Sequence, residues 1–426
     1  MHAVFIAPPF VSHLRAHEAV AERLTAAGHR ATLVGIPDMG ELVRLPSLRF
    51  IPVGSDHYPP GAQEAAVRRA ASPDTPWGLL GVVHEMRRQT DMLCARLPAV
   101  MRGLGPDIVV ADQMEAAGAL VADHLGIPWI SLASALPVER DPAVPLPVLP
   151  FDYDPSPRGL ARNRFAARIH DALMGDLHRA IRRQSSRLGL RPRCTLADCV
   201  SPLATVSQTV AAFEFPRARP ERRLRHVGPL RPMDDSEPPV RLPWDDDSPV
   251  VFVSLGTLQG HRAGIFRAVA EACRRIGARS VVAHCGGLDA LAAADIGADL
   301  ITDFVPQRAM LRQASAVVTH AGTNTVFDAL AAGVPVLAIP IAFDQPGAAA
   351  RIVHHGVGLR LSKRRLKVDA VADALTRLID EPTFRDQARS FAPEVAAAGG
   401  AARAAEIVLH FANPQHRSVP EAEVTL

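Results

Sequence analysis

A strand, a turn of small residues and a helix follow one another at residues 317–325, and this order is suited to binding an anion. The apolar run that ends at Thr319 predicts a strand, His320-Ala321-Gly322-Thr323 forms the turn, and a helix begins near Asn324. Backbone N–H groups at a helix N-terminus lack intrahelical partners, and a glycine lets a ligand come close to them. We therefore predict a diphosphate site. The turn lacks the glycine patterns of P-loop nucleoside triphosphatases and dinucleotide-dependent dehydrogenases, which disfavours both classes.

In the first half of the chain, His13 is the histidine placed most like a functional residue. An apolar run at residues 2–8 predicts a strand, Ser12 and His13 a polar turn, residues 16–27 a helix that Gly28 ends, and residues 30–36 a second strand. The turn after a strand lies at the carboxyl edge of a parallel sheet, where α/β folds bind ligands. Without further support, one histidine of 17 is a weak candidate for catalysis.

The strand–helix–strand pattern recurs along the chain and predicts parallel sheets with helices on both faces. In the first half it returns at residues 107–112, 115–125 and 128–132, where Asp112 ends a strand. A second run of such units follows from residue 250 onward. Between them, residues 216–248 are dense in proline and in charges of both signs, which is typical of a linker. We predict an N-terminal domain at 1–215, a nucleotide-binding domain at 249–400, and a C-terminal helix and tail at 401–426.

Composition indicates a globular protein of two domains. The 426 residues are 48% hydrophobic and 21% charged, and the net charge of +3 gives no reason to expect a nucleic-acid partner. Five scattered cysteines without a CxxC pair fit a reducing cytoplasm better than disulfides or a zinc site. No apolar run reaches the about 18 residues of a membrane span, and we see no export signal.

Three blocks around the predicted anion site resemble the nucleotide-sugar signature of the UDP-glycosyltransferases. They are Phe304-Val305-Pro306-Gln307, the turn from His320 to Thr325, and Phe343-Asp344-Gln345, with Gly333-Val334-Pro335 between the last two. The resemblance implies the GT-B fold, in which two Rossmann-like, doubly wound domains face each other across a cleft. It also implies that the domain at 1–215 binds the acceptor and that the domain at 249–400 binds the nucleotide sugar.

The resemblance also implies roles for individual donor-binding residues. Phe304 would stack on uracil, where the family often has tryptophan, and the backbone of Val305 would meet the base edge. Gln307 and Asp328 would contact the ribose, although many members have glutamate in place of Asp328. The diphosphate would be held by His320, Gly322, Asn324, Thr325, Ser254 and Thr257. Asp344 and Gln345 would bind the sugar, and a glutamine there resembles enzymes that use glucose.

For catalysis, the resemblance implies that His13 is a general base and Asp112 its partner. A neutral imidazole can remove a hydroxyl proton near pH 7, and a carboxylate stabilises the imidazolium that forms. The implied reaction is inverting transfer of glucose from UDP-glucose, with no cofactor and no metal. Asp245, Asp246 and Asp247 are interpreted as a solvated charge run in the linker rather than as a metal site.

The nucleotide-sugar signature says little about the acceptor, but other stretches resemble the bacterial zeaxanthin glucosyltransferases within this family. They include residues 7–13, 254–262, 283–287 and 342–347. The resemblance implies a carotenoid diol as acceptor, converted to its mono- and diglucoside. A macrolide, flavonoid or sterol acceptor remains an alternative, as does a non-catalytic protein that only binds the nucleotide sugar.

An arginine-rich segment from Arg158 to Arg193 has apolar residues at every fourth position. These residues are Phe165, Ile169, Leu173, Leu177 and Ile181. Such a basic amphipathic helix allows peripheral contact with the inner face of a membrane. The alternative, which we favour from the sequence, is that the apolar stripe packs on its own domain while the arginines face water.

Overall fold

Two separate parallel β-sheets form the framework of the protein in a computed structural model, which describes residues 1–71, 76–218, 223–234 and 236–416. The strands of the first sheet are β1 His2–Ile6, β2 Arg30–Gly35, β3 Arg49–Pro52, β4 Ile108–Asp112, β5 Trp129–Ala133, β6 Thr205–Ser207 and β7 Leu224–His226. Those of the second are β8 Val250–Ser254, β9 Arg279–Ala283, β10 Leu300–Thr302, β11 Ala316–Thr319, β12 Val336–Ala338 and β13 Gly358–Arg360.

The strand orders are β3-β2-β1-β4-β5-β6-β7 and β10-β9-β8-β11-β12-β13. Each order runs outward in both directions from a central pair, β1/β4 in the first sheet and β8/β11 in the second. At such a switch point the connections leave in opposite directions and open a crevice at the carboxyl ends of the strands. The prediction of two doubly wound parallel sheets is confirmed.

Helices connect and cover the strands. They are α1 Val11–Ala26, α2 Ala62–Ala71, α3 Pro76–Leu104, α4 Ala116–His124, α5 Pro157–Leu173, α6 Gly175–Arg187, α7 Gly256–Gln259, α8 Ala263–Arg275, α9 Ala290–Ala294, α10 Gln307–Leu311, α11 Thr323–Ala331, α12 Gln345–His354, α13 Val368–Asp380, α14 Pro382–Ser390, α15 Ala392–Ala397 and α16 Gly400–Ala412. Short 3₁₀ helices occupy Pro37–Leu42, Leu196–Cys199, Ala211–Phe213, Lys363–Arg365 and Pro414–His416.

The chain crosses between the domains twice. β7 belongs to the first sheet although it lies within the proline-rich segment 216–248. After the second sheet, α16 returns to the first domain, where Ala404 and Val408 join the same buried cluster as Leu14 of α1. Residues 219–222 and 235 of the linker and 417–426 of the tail lie outside the described residues.

The predicted arginine-rich amphipathic helix is two helices, α5 and α6, which meet at Met174. Leu177 and Ile181 of α6 are fully buried, as expected if the stripe packs on its own domain. On α5 the expectation is wrong, because Phe165, Ile169 and Leu173 are exposed. The stripe is therefore covered along only half of its length.

One stretch of the described residues, 382–412, is long and apolar enough to cross a bilayer by length and composition alone. In the structure these residues form α14, α15 and α16, with breaks at Phe391 and around Gly399. Core helices of soluble proteins meet the same criterion, and α16 contributes to a buried cluster, so the evidence for a span is weak.

Candidate active site

His13 and Asp112 meet at the carboxyl edge of the first sheet. β1 and β4 are parallel neighbours with Ile6 opposite Ala111, so the residues that follow each strand emerge side by side. His13 Nδ1 lies 2.8 Å from Asp112 Oδ2, and the Asp112 side chain is fully buried. The structure thus brings together the two residues predicted as base and partner.

His13 lies in the first turn of α1, and not in the polar turn expected from the sequence. The helix begins at Val11, directly after the extended residue Phe10. Leu14 is buried, so the apolar face of the helix starts earlier than residue 16. The helix is therefore longer at its N-terminal end than the sequence predicted. A helical position fixes the His13 backbone more firmly than a turn would.

The Asp112 carboxylate has further partners that hold it in place. Ser134 Oγ donates a hydrogen bond to Oδ2 at 2.9 Å, and the Met114 backbone N–H donates to Oδ1 at 2.9 Å. Burial alone would raise the pKa of Asp112, but His13, with His17 and the Met114 N–H, outweighs burial and the pKa is lowered. Asp112 is therefore a carboxylate at neutral pH.

Burial alone would lower the pKa of His13, because it disfavours the charged imidazolium. The adjacent Asp112 carboxylate, and Asp344 from the other domain, outweigh burial and raise the pKa above 6.5. Because Asp112 occupies Nδ1, Nε2 is the nitrogen left for an incoming hydroxyl group. An imidazole that a buried carboxylate orients in this way can accept a proton through Nε2.

His17 also belongs to this cluster, although its position inside the predicted first helix argued against a functional role. Its Nδ1 lies 4.0 Å from Asp112 Oδ2 and 2.9 Å from the His13 carbonyl oxygen. Burial lowers the pKa of His17, so this imidazole is neutral. The four-residue spacing from His13 was the available signal, since it places both side chains on one helix face.

Asp344 connects the second domain to the His13–Asp112 pair. Its Oδ2 accepts a hydrogen bond from the Leu136 backbone N–H at 3.0 Å, across the domain boundary. Burial raises the pKa of Asp344, although the His13 imidazole acts in the opposite direction. A second contact lies nearby, where the Gly347 N–H donates to the Pro147 carbonyl at 2.8 Å. The residue predicted to bind sugar hydroxyls thus faces the predicted base.

Gln345, the other predicted sugar ligand, is occupied within its own loop. Its Oε1 accepts hydrogen bonds from the backbone N–H groups of Ile341 and Ala342, at 2.9 and 2.8 Å, and the residue is buried. Phe343, which lies between Ala342 and Gln345 in the chain, has a left-handed backbone with φ of 56°. The amide oxygen therefore holds the loop in shape.

His320 lies between two glycines at the carboxyl edge of the second sheet. A Cβ atom would lie 2.6 Å from His320 Nε2 if built at Gly322, and 2.8 Å from Cε1 if built at Gly256, whose φ is 69°. β8 and β11 are parallel neighbours, with Ser254 opposite Thr319, so both predicted phosphate loops start at the same place. Burial lowers the pKa of His320 to about 4, so its imidazole is neutral. Thr257 is exposed one residue beyond Gly256.

The predicted ribose residues form one hydrogen-bonded network. Gln307 Nε2 donates to Asp328 Oδ2 at 2.6 Å, and Thr325 Oγ1 donates to Gln307 Oε1 at 3.2 Å. Next to them, Phe304 is 70% exposed, which leaves its ring free to stack on a base. Val305 is partly buried against the core of the second domain.

Arg231, in the segment between the domains, joins this network and was missed by sequence reasoning. Its guanidinium donates to Asp328 Oδ1 at 2.5 Å, to Asn324 Oδ1 at 3.2 Å and to the Asn324 carbonyl at 3.3 Å. A permanent positive charge therefore lies beside the N-terminal turn of α11. The proline- and charge-rich composition around Arg231 gave no periodic pattern that could single it out.

Among the residues described, no three His, Cys, Asp or Glu side chains are grouped so that they could hold a metal ion. In the acidic run 245–247, Asp246 Oδ2 accepts a hydrogen bond from Arg279 at 2.6 Å. That hydrogen bond is the main reason why the pKa of Asp246 is lowered to about 2. This pair is solvent-exposed and outside the cleft residues described above.

Comparison with known proteins adds independent information. The family model described as "UDP-glucoronosyl and UDP-glucosyl transferase" matches residues 235–392. The chain is 42% identical to a zeaxanthin glucosyltransferase of Pantoea ananas over 96% of its own length and 95% of that protein. It is 40% identical to a zeaxanthin glucosyltransferase of Pseudescherichia vulneris, over 96% and 97% of the two chains. Among solved structures, the kitacinnamycin glycotransferase superposes with a TM-score of 0.78 at 20% identity, covering 97% of this chain and 99% of that one.

Proposed function

Because the chain belongs to the UDP-glucoronosyl and UDP-glucosyl transferase family and has the GT-B fold, we propose that this glycosyltransferase transfers glucose from UDP-glucose to the hydroxyl groups of zeaxanthin. The similarity to two zeaxanthin glucosyltransferases extends through both domains and supports this acceptor. A diol has two hydroxyl groups, so the expected products are the mono- and then the diglucoside.

One observation carries the mechanism: His13 Nδ1 lies 2.8 Å from the Asp112 carboxylate, and the negative charge of Asp344 from the other domain also raises the pKa of the His13 imidazole. We propose that His13 Nε2 accepts the proton of the acceptor hydroxyl as its oxygen bonds to the anomeric carbon of glucose. The bond from that carbon to the diphosphate oxygen breaks, and UDP leaves with the electron pair. A single displacement of this kind inverts the anomeric configuration.

The donor would lie along the carboxyl edge of the second sheet. Phe304, whose ring is exposed, would stack on uracil beside the Val305 backbone, and the hydrogen-bonded Gln307–Asp328 pair would bind the ribose hydroxyls. The N-terminal turn of α11 and the neutral His320 would donate to the diphosphate, and Arg231 adds a positive charge beside them. These groups would stabilise the charge on the leaving UDP, so we propose that transfer needs no metal cofactor.

The direct test is to incubate the purified full-length protein with UDP-glucose and zeaxanthin in detergent micelles and analyse products by liquid chromatography and mass spectrometry. We expect the masses of the mono- and diglucoside, and β-configured product from the α-configured donor by NMR. His13→Ala should abolish turnover. His57→Ala changes an exposed histidine and should leave it intact.

The same assay decides between this proposal and its alternatives. Turnover of a macrolide, flavonoid or sterol without turnover of zeaxanthin would contradict the acceptor. Binding of UDP-glucose without turnover of any acceptor would favour a non-catalytic, nucleotide-sugar-binding protein. Replacing the donor by UDP-galactose or a thymidine diphosphate sugar tests the donor, and faster transfer from either would contradict it.

A further inference from the structure

The outer face of α5 is apolar and basic, and nothing in the described structure covers it. Phe165, Ile169 and Leu173 are 64%, 49% and 45% exposed. Their four-residue spacing puts them on one side of the helix. Large apolar side chains are usually buried, so three in one stripe mark an interaction surface rather than a random surface composition.

Exposed arginines border this stripe. Arg158, Arg164 and Arg168 are all exposed, and Arg164 and Arg168 follow the same helical spacing as the stripe. Within residues 1–71, 76–218, 223–234 and 236–416, neither Arg164 nor Arg168 forms an ion pair with a carboxylate. The single acidic residue of α5, Asp171, is already bound by Arg140, whose Nη1 donates a hydrogen bond to Asp171 Oδ2 at 2.8 Å. The exposed face therefore carries uncompensated positive charge.

The contrast with α6 shows that this exposure is particular to α5. In α6, which follows Met174, Leu177 and Ile181 are fully buried in the core of the first domain. Two exposed arginines of α6 also have acidic partners, since Arg183 lies 2.6 Å from Asp91 and Arg179 lies 3.3 Å from Asp176. The apolar stripe that is continuous in the sequence is thus buried on α6 and exposed on α5.

The loop before α5 comes directly from the candidate active site. Ser134, at its start, donates to Asp112, and Leu136 donates to Asp344. The loop then contacts the second domain through Pro147 before α5 begins at Pro157. A surface bound by α5 would therefore be connected to the residues around the predicted base through the single loop 134–156.

We propose that the exposed face of α5 docks the protein on the surface of an anionic lipid bilayer. Apolar side chains next to arginines match an interface in which acyl chains lie beneath negatively charged headgroups. A protein partner with an acidic rim is the alternative, and equal binding to anionic and neutral vesicles, or to neither, would favour it. The inference goes beyond the proposed function, and it holds whether or not zeaxanthin is the acceptor.

The test is sedimentation of the purified full-length protein with large unilamellar vesicles. One set contains phosphatidylcholine alone, and the other contains phosphatidylcholine with about a third phosphatidylglycerol. At low salt we expect at least a fivefold larger bound fraction on the anionic vesicles, with a marked decrease in high salt because the charges are then screened. Equal binding to both vesicles, or binding to neither, would overturn the proposal.

Two variants and two matched controls locate the contact. Phe165→Ser/Ile169→Ser and Arg164→Glu/Arg168→Glu should each reduce anionic-vesicle binding at least fivefold. Leu291→Ser is the control for the apolar variant, because it removes another highly exposed apolar side chain. Arg102→Glu/Arg312→Glu is the control for the charge variant, because it makes the same change in net charge at two exposed arginines elsewhere. Both controls should bind vesicles like the unaltered protein, apart from a small general charge effect. Unfolding midpoints of all variants establish that they are folded. If the α5 variants bind vesicles normally but change the oligomeric state or the KM for a water-soluble acceptor, α5 has a different role and the proposal fails.

Discussion

His13 Nδ1 and Asp112 Oδ2 lie 2.8 Å apart at the switch point of the first sheet, with the carboxylate fully buried and the imidazole mostly so. The pair joins the first turn of α1 to the last residue of β4. Two neighbouring parallel strands therefore determine the distance between the predicted base and its partner.

Asp112→Asn should lower kcat by roughly 10²- to 10⁴-fold, because an amide neither stabilises the imidazolium nor fixes the ring in the required tautomer. It should also change the pH profile. The carboxylate raises the pKa of His13, and the base is active only when deprotonated, so activity falls as the pH drops through that raised value. Without the carboxylate, the acidic limb of kcat/KM should move to lower pH. An unchanged limb would show that another group is the base.

Arg231→Ala should raise the KM for UDP-glucose by about 10- to 100-fold, in line with about 1.5–3 kcal/mol for hydrogen bonds to a charged group. The acceptor KM should change little. Arg241→Ala provides a matched control, because Arg241 is an exposed arginine of the same linker. Calorimetric titration with UDP measures the effect without turnover. Tighter UDP binding by Arg231→Ala would contradict the prediction and indicate that the guanidinium competes with the ribose for Asp328.

The sequence was most informative where one element gives way to the next. The change from strand to turn to helix at residues 316–325 predicted the environment of His320 and Gly322, because strand order then places that turn at the sheet edge. Arg231 could not be predicted in this way. Its position depends on a linker that folds against α11 through specific hydrogen bonds, without a repeating pattern.

The sequence pattern also did not predict that the amphipathic segment divides into α5 and α6. A four-residue apolar repeat runs through Met174 without interruption, yet only the half beyond it meets the core. Periodicity predicts which side chains share a face, but whether another element covers that face depends on tertiary packing. Gln345 shows the same limit at the level of one side chain, since its hydrogen bonds to Ile341 and Ala342 depend on the loop conformation.

His320 should make the protein less stable in mild acid. Burial lowers its folded-state pKa to about 4 from 6.5, so between these values the unfolded chain binds a proton that the native state does not. The free energy of unfolding should therefore fall as the pH drops from about 6.5 to 4, by up to about 3 kcal/mol from this residue. Urea denaturation of the unaltered protein and His320→Gln at pH 7 and pH 4.5 measures the difference. Equal pH dependence in both proteins would show that His320 is not kept neutral by the fold.

Gln345 allows its structural and donor-binding roles to be separated. Gln345→Leu leaves the buried N–H groups of Ile341 and Ala342 without an acceptor, so we expect a loss of about 1–3 kcal/mol in unfolding free energy for each group left unpaired. Gln345→Glu keeps an oxygen that can accept both hydrogen bonds, so its stability at pH 7 should be nearer to that of the unaltered protein. If Gln345 also binds the sugar through its amide N–H, the glutamate variant should still have a raised KM for UDP-glucose and an altered preference against UDP-galactose. A glutamate variant that retains both stability and donor kinetics would limit Gln345 to holding the loop.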